Sequence, residues 1–412
     1  MSRPRPAVPA DVRRARVAVS ALFLTNGALF ANLIPRYPGI KADLALSNAA
    51  YGLAIIAFPT GAILAGLAAA TLVRRFSSAR VAVAGTVLTA VGVLVAGLAP
   101  SLPTFVVAMF LAGSMDSITD VAQNSHGLRV QRGYGRSIIN GFHAIWSMGA
   151  VLGGAMAAGA LALDLSRGVH LGVSAALFTA VALTALRFCL PGHDPSRADD
   201  AVAAGPGGVS RAGRHVALAV AALVVIAVSG TLVEDAGATW AAVYLGGELG
   251  AAGTVAAAGF VALVGAQFVG RVVGDRMVDR FGQRAVARAG GAITTVGTGA
   301  ALLWPSVPGT VAGFAAAGFG VATLVPAAMH AADELPGLRA GTGVTVVSWL
   351  MRLGFLVSPP VVGYVADTVS LRAGLAVVPL AGLLTVALAG VLARRAPRTD
   401  PAETAARAVV DA

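Results

Sequence analysis

Apolar residues fall along this chain in long runs, broken at short intervals by connectors that carry proline, arginine or other polar residues. A helix that crosses a bilayer needs roughly 20 apolar residues. Twelve stretches meet that length: 17–35, 50–72, 81–99, 104–126, 138–162, 169–189, 215–238, 251–272, 285–304, 307–330, 341–366 and 371–393. Pro100 and Pro103 mark a tight turn between spans 3 and 4, and Pro305 and Pro308 mark another between spans 9 and 10. The longest polar connector, 190–214, falls near mid-chain and reads as a flexible linker. It separates an N-terminal six-helix bundle, 17–189, from a C-terminal one, 215–393, with polar tails at 1–16 and 394–412. The pattern predicts an all-α integral membrane protein of twelve transmembrane helices.

A repeat supports the division into halves. LVRRFSSARV at 72–81 and MVDRFGQRAV at 277–286 lie in register, each between the second and third spans of its half. Duplicated six-helix units are a common design among secondary transporters, with the binding site near the midplane between them.

Composition agrees with the pattern. Hydrophobic residues make up 57% of the chain and charged ones 12%, with a mean hydropathy of +0.80. A soluble chain carries about twice that charge. The 51 glycines suit close helix contact in lipid, where small residues let backbones approach. The net charge of +11 is set in connectors and not in one stripe, so it signals topology and gives no nucleic-acid surface. With the N-terminus inside, the loops on the far side hold only Arg36, Lys41, Arg167 and Arg372 of the 30 basic residues, and Arg352 falls within a span. Both termini are then expected in the cytoplasm, in a multi-pass plasma-membrane protein. Residues 1–16 and the first run show no cleavable signal peptide. A single cysteine, Cys189, rules out a disulfide framework and a cysteine metal site, and no cofactor is implied.

The candidate chemistry lies in the few polar residues inside spans. Asp116, Asp120 and Asn124 recur at i, i+4 and i+8 of span 4, so a helix puts them on one face. A carboxylate at mid-bilayer costs about 2.5–3.5 kcal/mol, so such residues are kept mainly where they face a bundle interior or a wet path. Span 7 carries Glu234 and Asp235 towards its outer end; adjacent helix positions point about 100° apart, so one of the pair is expected to face the path. Arg352 is the cation in the middle of a span and needs a carboxylate partner or an anionic solute. His143 in span 5 titrates near neutrality and is either a proton relay or a helix–helix bond. Asn26 and Asn32 in span 1 either line the path or bond between helices. Trp146 and Trp349 are candidate stacking surfaces for a solute; Trp240 and Tyr244 are either that or interfacial anchors. No GxxxxGK[ST], HExxH or GxSxG site is present, which argues against an ATP motor or an enzyme and leaves an ion gradient as the energy source.

The repeat also carries a resemblance. GRVVGDRMVDRFGQR at 270–284 resembles the loop 8–9 signature of the major facilitator superfamily, read at Gly270, Arg271, Gly274, Asp275, Arg276, Arg280, Phe281 and Gly282. FLTNGALFANLIPRYPGIK (23–41), DVAQNSHGLRVQRGYGRSIINGFHAIWSMG (120–149) and GFLVSPPVVGYVADTVSLRAG (354–374) look like the bacterial branch near the fucose permeases. The resemblance implies two pseudo-symmetric bundles with alternating access to a central site. It implies cytoplasmic gating by Asp275, Arg276, Asp279 and Arg280, with Arg74 and Arg75 at the matching place in the first half. It also makes Asp120, Asn124, His143 and Glu234 similar to polar positions of the branch. The chain departs from the family pattern at Arg74, where an aspartate is usual, at Ser77, where glycine is usual, and around Met109, where proton-coupled relatives carry arginine. The branch usually has an aromatic where this chain has Arg352. GAVLGGAMAAG at 149–159 resembles the antiporter glycine pattern but lacks its proline.

These readings converge on a secondary active transporter of the bacterial inner membrane. It is expected to act as a monomer and to move a small organic solute by alternating access coupled to protons. Proton-antiport efflux of a drug or metabolite is the alternative. A non-transporting sensor or membrane-embedded enzyme is the rival from another class.

Overall fold

The computed structural model describes residues 8–134, 138–192, 213–336 and 342–392. Among these the chain is helical, with no strand. In lipid there is no water to take a free peptide group, so helices that satisfy their own backbone are the solution open to a chain this apolar. Eleven stretches are long and apolar enough to cross a membrane: Ala10–Asp43 (span 1), Asn48–Phe76 (2), Ser78–Gly97 (3), Leu102–Tyr134 (4), Gly141–Ala162 (5), Arg167–Leu186 (6), His215–Gly247 (7), Gly253–Phe281 (8), Val307–Asp333 (10), Thr342–Thr368 (11) and Leu371–Val391 (12). The twelfth expected span, span 9, is the helix Gln283–Leu303, whose threonines, glycines and two arginines lower its hydropathy. It packs between spans 10 and 12 as a full member of the bundle.

Burial is inverted relative to a soluble protein. Leu67, Val17, Val107, Val296 and Leu380 stand exposed, while alanine, glycine and threonine fill the helix contacts. Span 1 lies against span 5, and span 4 against spans 2 and 3; in the second half span 10 lies against spans 8 and 9, and span 7 against spans 11 and 12. The halves meet along two seams, span 2 on span 11 and span 5 on span 8.

The repeated sequence gives repeated geometry. Span 2 ends at Phe76 and turns through Ser77 (φ 75°, ψ 146°); span 8 ends at Phe281 and turns through Gly282 (φ 82°, ψ 154°). Both turns lie at the basic end of the bundle, where span 1 begins.

The two ends of the molecule differ. At the end away from span 1's start the seam is shut by rings from both halves. Tyr51 sits edge-on to Trp240, with centroids 5.1 Å apart, and edge-on to Tyr37 at 5.9 Å. The Tyr51 hydroxyl donates to the Thr239 carbonyl at 3.0 Å. Trp240, 0% exposed, is therefore a core residue of this seal, and Tyr244, 1% exposed, is buried among spans 9, 10 and 12 of the second half; neither is an interfacial anchor or a solute platform. The sequence reading ended span 7 at 238, but its helix runs on to Gly247, which carries both rings inward. At the basic end, span 4 packs on its own half, and Leu324–Asp333 and Thr342–Leu350 pack on span 7 of theirs. A cleft between the halves is left open there. The expected linker 190–214 lies mostly outside the described residues, as does the tail 394–412.

Candidate functional site

The first wall of the cleft is built on spans 1, 4 and 5. Span 4 is one helix, Leu102–Tyr134, so Asp116, Asp120 and Asn124 do share a face. Asn26 on span 1 is the hub. Its Nδ2 donates to Asp116 Oδ1 at 2.7 Å, and its Oδ1 accepts from Trp146 Nε1 at 2.8 Å. Gln123 Nε2 lies 3.4 Å from both Asn26 Oδ1 and Asp120 Oδ1 and bridges the two. Asn124 Nδ2 donates to Asp120 Oδ1 at 3.0 Å and to the Asp120 carbonyl at 2.8 Å. Trp146 thus spends its only donor on Asn26. Asn32 belongs elsewhere: it meets His170 at 2.8 Å in a buried network between spans 1 and 6 that also holds Arg36.

The second wall comes from spans 7, 8 and 11. Gln267 Nε2 donates to Glu234 Oε2 at 2.8 Å, and the Arg271 guanidinium lies 3.7 Å from the same oxygen. Arg271 also donates to Ser147 Oγ on span 5 at 3.0 Å, so it ties this wall to the first half. Glu234 is not an outer-end residue: it lies about 20 Å of helix before Gly247. The structure sends its neighbour the other way. Asp235, 8% exposed, turns into the sealed seam beside Ser358, Thr239, Tyr37 and Tyr51. Its Oδ2 has no hydrogen-bond partner among the described residues.

The charged groups of the two walls face each other across the cleft. Asp120, His143 and Arg352 are all exposed to it. Asp120 is near enough to feel the charges of both His143 and Arg352, and His143 feels Arg271 as well. Arg352 makes one hydrogen bond, to the Ser348 carbonyl of its own helix at 3.2 Å, and among the described residues no carboxylate pairs with it. Of the two expected partners, a carboxylate or an anionic solute, the first is not in contact with Arg352 in this arrangement among the described residues. His143 packs edge-on against Phe23, with centroids 5.3 Å apart. Trp349, one turn before Arg352, is 60% exposed.

The expected gating residues sit at the mouth. Asp275, Arg276, Asp279 and Arg280 ride on the exposed last turns of span 8, and Arg74 and Arg75 on those of span 2. Arg74 donates to Thr71, and Arg75 and Arg280 lie over the rings of Phe76 and Phe281. Among the described residues none of the six bonds across the cleft.

Gln123, Gln267 and Arg271 were missed by the sequence reading. Arg271 was in plain view within the GRVVGDR stretch, but span 8 was expected to end at 272. Its helix continues to Phe281, about 15 Å of helix beyond Arg271, which leaves that side chain within reach of Glu234 and Ser147. No group of three or more histidine, cysteine or acidic residues is set to hold a metal among the described residues. Burial pushes the Cys189 thiol, just beyond span 6, up to about 11, so it offers no thiolate.

A family model for the Major Facilitator Superfamily matches residues 19–276 and 223–410. An uncharacterised transporter of Sinorhizobium fredii, y4wD, is 29% identical over 377 residues, covering 91% of this chain and 97% of that protein. Membrane protein MosC of Rhizobium meliloti is 27% identical over 376 residues, covering 91% and 89%. Among solved structures, the nucleoside transporter NupG superposes with a TM-score of 0.69 at 12% identity, over 93% of this chain and 98% of its own. A D-xylose-proton symporter gives 0.68 at 16% identity, over 96% and 99%. Likeness at such identities is likeness of fold.

Proposed function

The chain belongs to the major facilitator superfamily of membrane transporters, and from that premise we propose that it is a secondary active transporter coupling a small organic solute to protons by alternating access. The basic end is read as cytoplasmic on the positive-inside rule, so the arrangement is inward-open. A bacterial inner membrane and a working monomer complete the reading, since both walls of the cleft come from one chain.

The observation that supports it most is Asp120 and Arg352 on opposite walls, close enough to interact and held apart by the open cleft. A carboxylate with a guanidinium at hand favours its ionised form; without one, in a low-dielectric wall, the neutral form gains. Closing the cytoplasmic end would bring the two together. In the outward-open state, external protonation of Asp120 would release Arg352 and let the inner end open; loss of the proton to the cytoplasm would then restore the pair. Solute binding falls to the cleft groups that are exposed or hold hydrogen-bonding capacity: Asn124, His143, Glu234, Gln267 and Arg271, with Trp349 as a stacking surface. Asp116, held by Asn26, fixes the position of the coupling face.

Proteoliposomes with an imposed pH gradient test this, after a thermal-shift screen of metabolites and antibiotics has supplied a solute. Asp120→Asn should abolish gradient-driven accumulation and leave counterflow exchange intact. Accumulation that survives the substitution would remove Asp120 from coupling.

A further inference from the structure

Span 2 begins in a short helix, Asn48–Ile55, whose first amides need acceptors from outside the helix. Its own N-cap, Ser47, takes the Ala50 amide at 3.1 Å. The other two are taken from across the molecule. Asp367, at the end of span 11 in the second half, accepts from the Asn48 amide at 2.9 Å and the Ala49 amide at 2.8 Å, one with each carboxylate oxygen. A carboxylate at a helix N-terminus gains from both the hydrogen bonds and the helix dipole. Caps normally come from the same stretch of chain and hold in every state of the protein. This one bridges the two halves, so it exists only while the sealed end is shut.

Backbone packing at the same place depends on that closure. A Cβ at Gly363 would meet the Asn48 carbonyl, and one at Gly52 the Pro359 carbonyl. Span 2 and span 11 therefore touch backbone to backbone in the two turns of span 11 that precede Asp367. No cation is paired with Asp367 among the described residues, so its charge is directed at the partner helix.

We infer that Asp367 is the latch of the sealed end: a positioning residue whose bidentate cap on span 2 stabilises the inward-open state against the outward-open one. The inference rests on the alternating-access reading but needs no solute. Opening the sealed end breaks both hydrogen bonds and returns the carboxylate and two amides to water. Removing the cap shifts the conformational equilibrium toward outward-open and leaves the cleft groups untouched.

The test uses the full chain with Cys189→Ala and spin labels at Leu163→Cys and Trp304→Cys, two exposed positions beyond the sealed end, one in each half. The parent should give one short distance. Asp367→Asn should raise the ratio of long to short distances roughly fivefold, and Asp367→Glu should recover part of the short population. Asn48→Pro is an independent probe. Proline is tolerated at the first position of a helix, Ser47 already has the extended backbone that proline demands of its predecessor (φ −62°, ψ 166°), and the change deletes one latch donor. It should shift the distances in the same direction. The double variant should shift them no further than Asp367→Asn alone, since both act on one interaction. Distances that stay put in both single variants, or a lower unfolding temperature with an unchanged distribution, would overturn the latch. Shifted distances in vesicles that move neither solute nor protons would leave the latch standing and overturn the transport reading instead.

Discussion

Ser77 stands where its counterpart Gly282 stands in the second half, and it bears a cost that the glycine avoids. Both residues have φ near 80° with ψ near 150°, a region that is essentially glycine's alone. Ser77 is buried, so the strain is not relieved by moving into solvent. Ser77→Gly should stabilise the first half by about 1 kcal/mol, visible as a midpoint raised by about 1–2 °C in detergent. An unchanged or lower midpoint would mean that packing of the serine side chain offsets the strain. The cleft shows what single residues reveal and hide. Asp116 and Asp120 were legible because a carboxylate in an apolar run is costly wherever it points. Gln123 and Gln267 drew no notice, since a glutamine in a span is weakly costly and only its partners give it a role. Arg352 was legible as a charge, but not that no carboxylate pairs with it among the described residues, which depends on how the two halves of the chain sit.

At the scale of elements, the apolar runs located the spans and misjudged their ends. Helices of 33 and 34 residues in spans 4 and 7 are about 50 Å long, against about 30 Å of hydrocarbon. The last turns of span 4, GLRVQRGY, are polar and read as loop, whereas span 7 runs on through TWAAVYLGG, whose rings are buried. Breaks are equally hidden. Span 11 is interrupted at Met351–Arg352, between the helices Thr342–Leu350 and Leu353–Thr368. The Met351 carbonyl at that break accepts from the Gly354 amide at 3.0 Å and from Thr231 Oγ1, on span 7, at 2.7 Å. Thr231→Val keeps the shape and deletes the donor, so it should lower stability by about 1–2 kcal/mol. Because Arg352 follows the break directly, coupling should weaken as well, seen as lower accumulation at an unchanged exchange rate. A stability loss with full accumulation would show that the break does not set the position of Arg352.

For the whole molecule, the deciding feature is that its two ends are built by different means. The basic end carries exposed charged side chains on spans 2 and 8, and such groups can approach or part at little steric cost. The sealed end is shut by rings and by backbone against backbone, which tolerates no intermediate spacing. Alternating access then requires the contact between spans 2 and 11 to be made and broken as a unit. Gly363→Val isolates that requirement, because a side chain there would occupy the space of the Asn48 carbonyl. If the seam is a moving gate, the variant should fold, remain outward-open, bind solute from outside and carry none across. Binding to right-side-out vesicles would persist while counterflow is lost. If the seam is static packing, the same substitution should lower the unfolding temperature and reduce binding and flux together. The ratio of binding to flux separates the two without reference to which solute is carried.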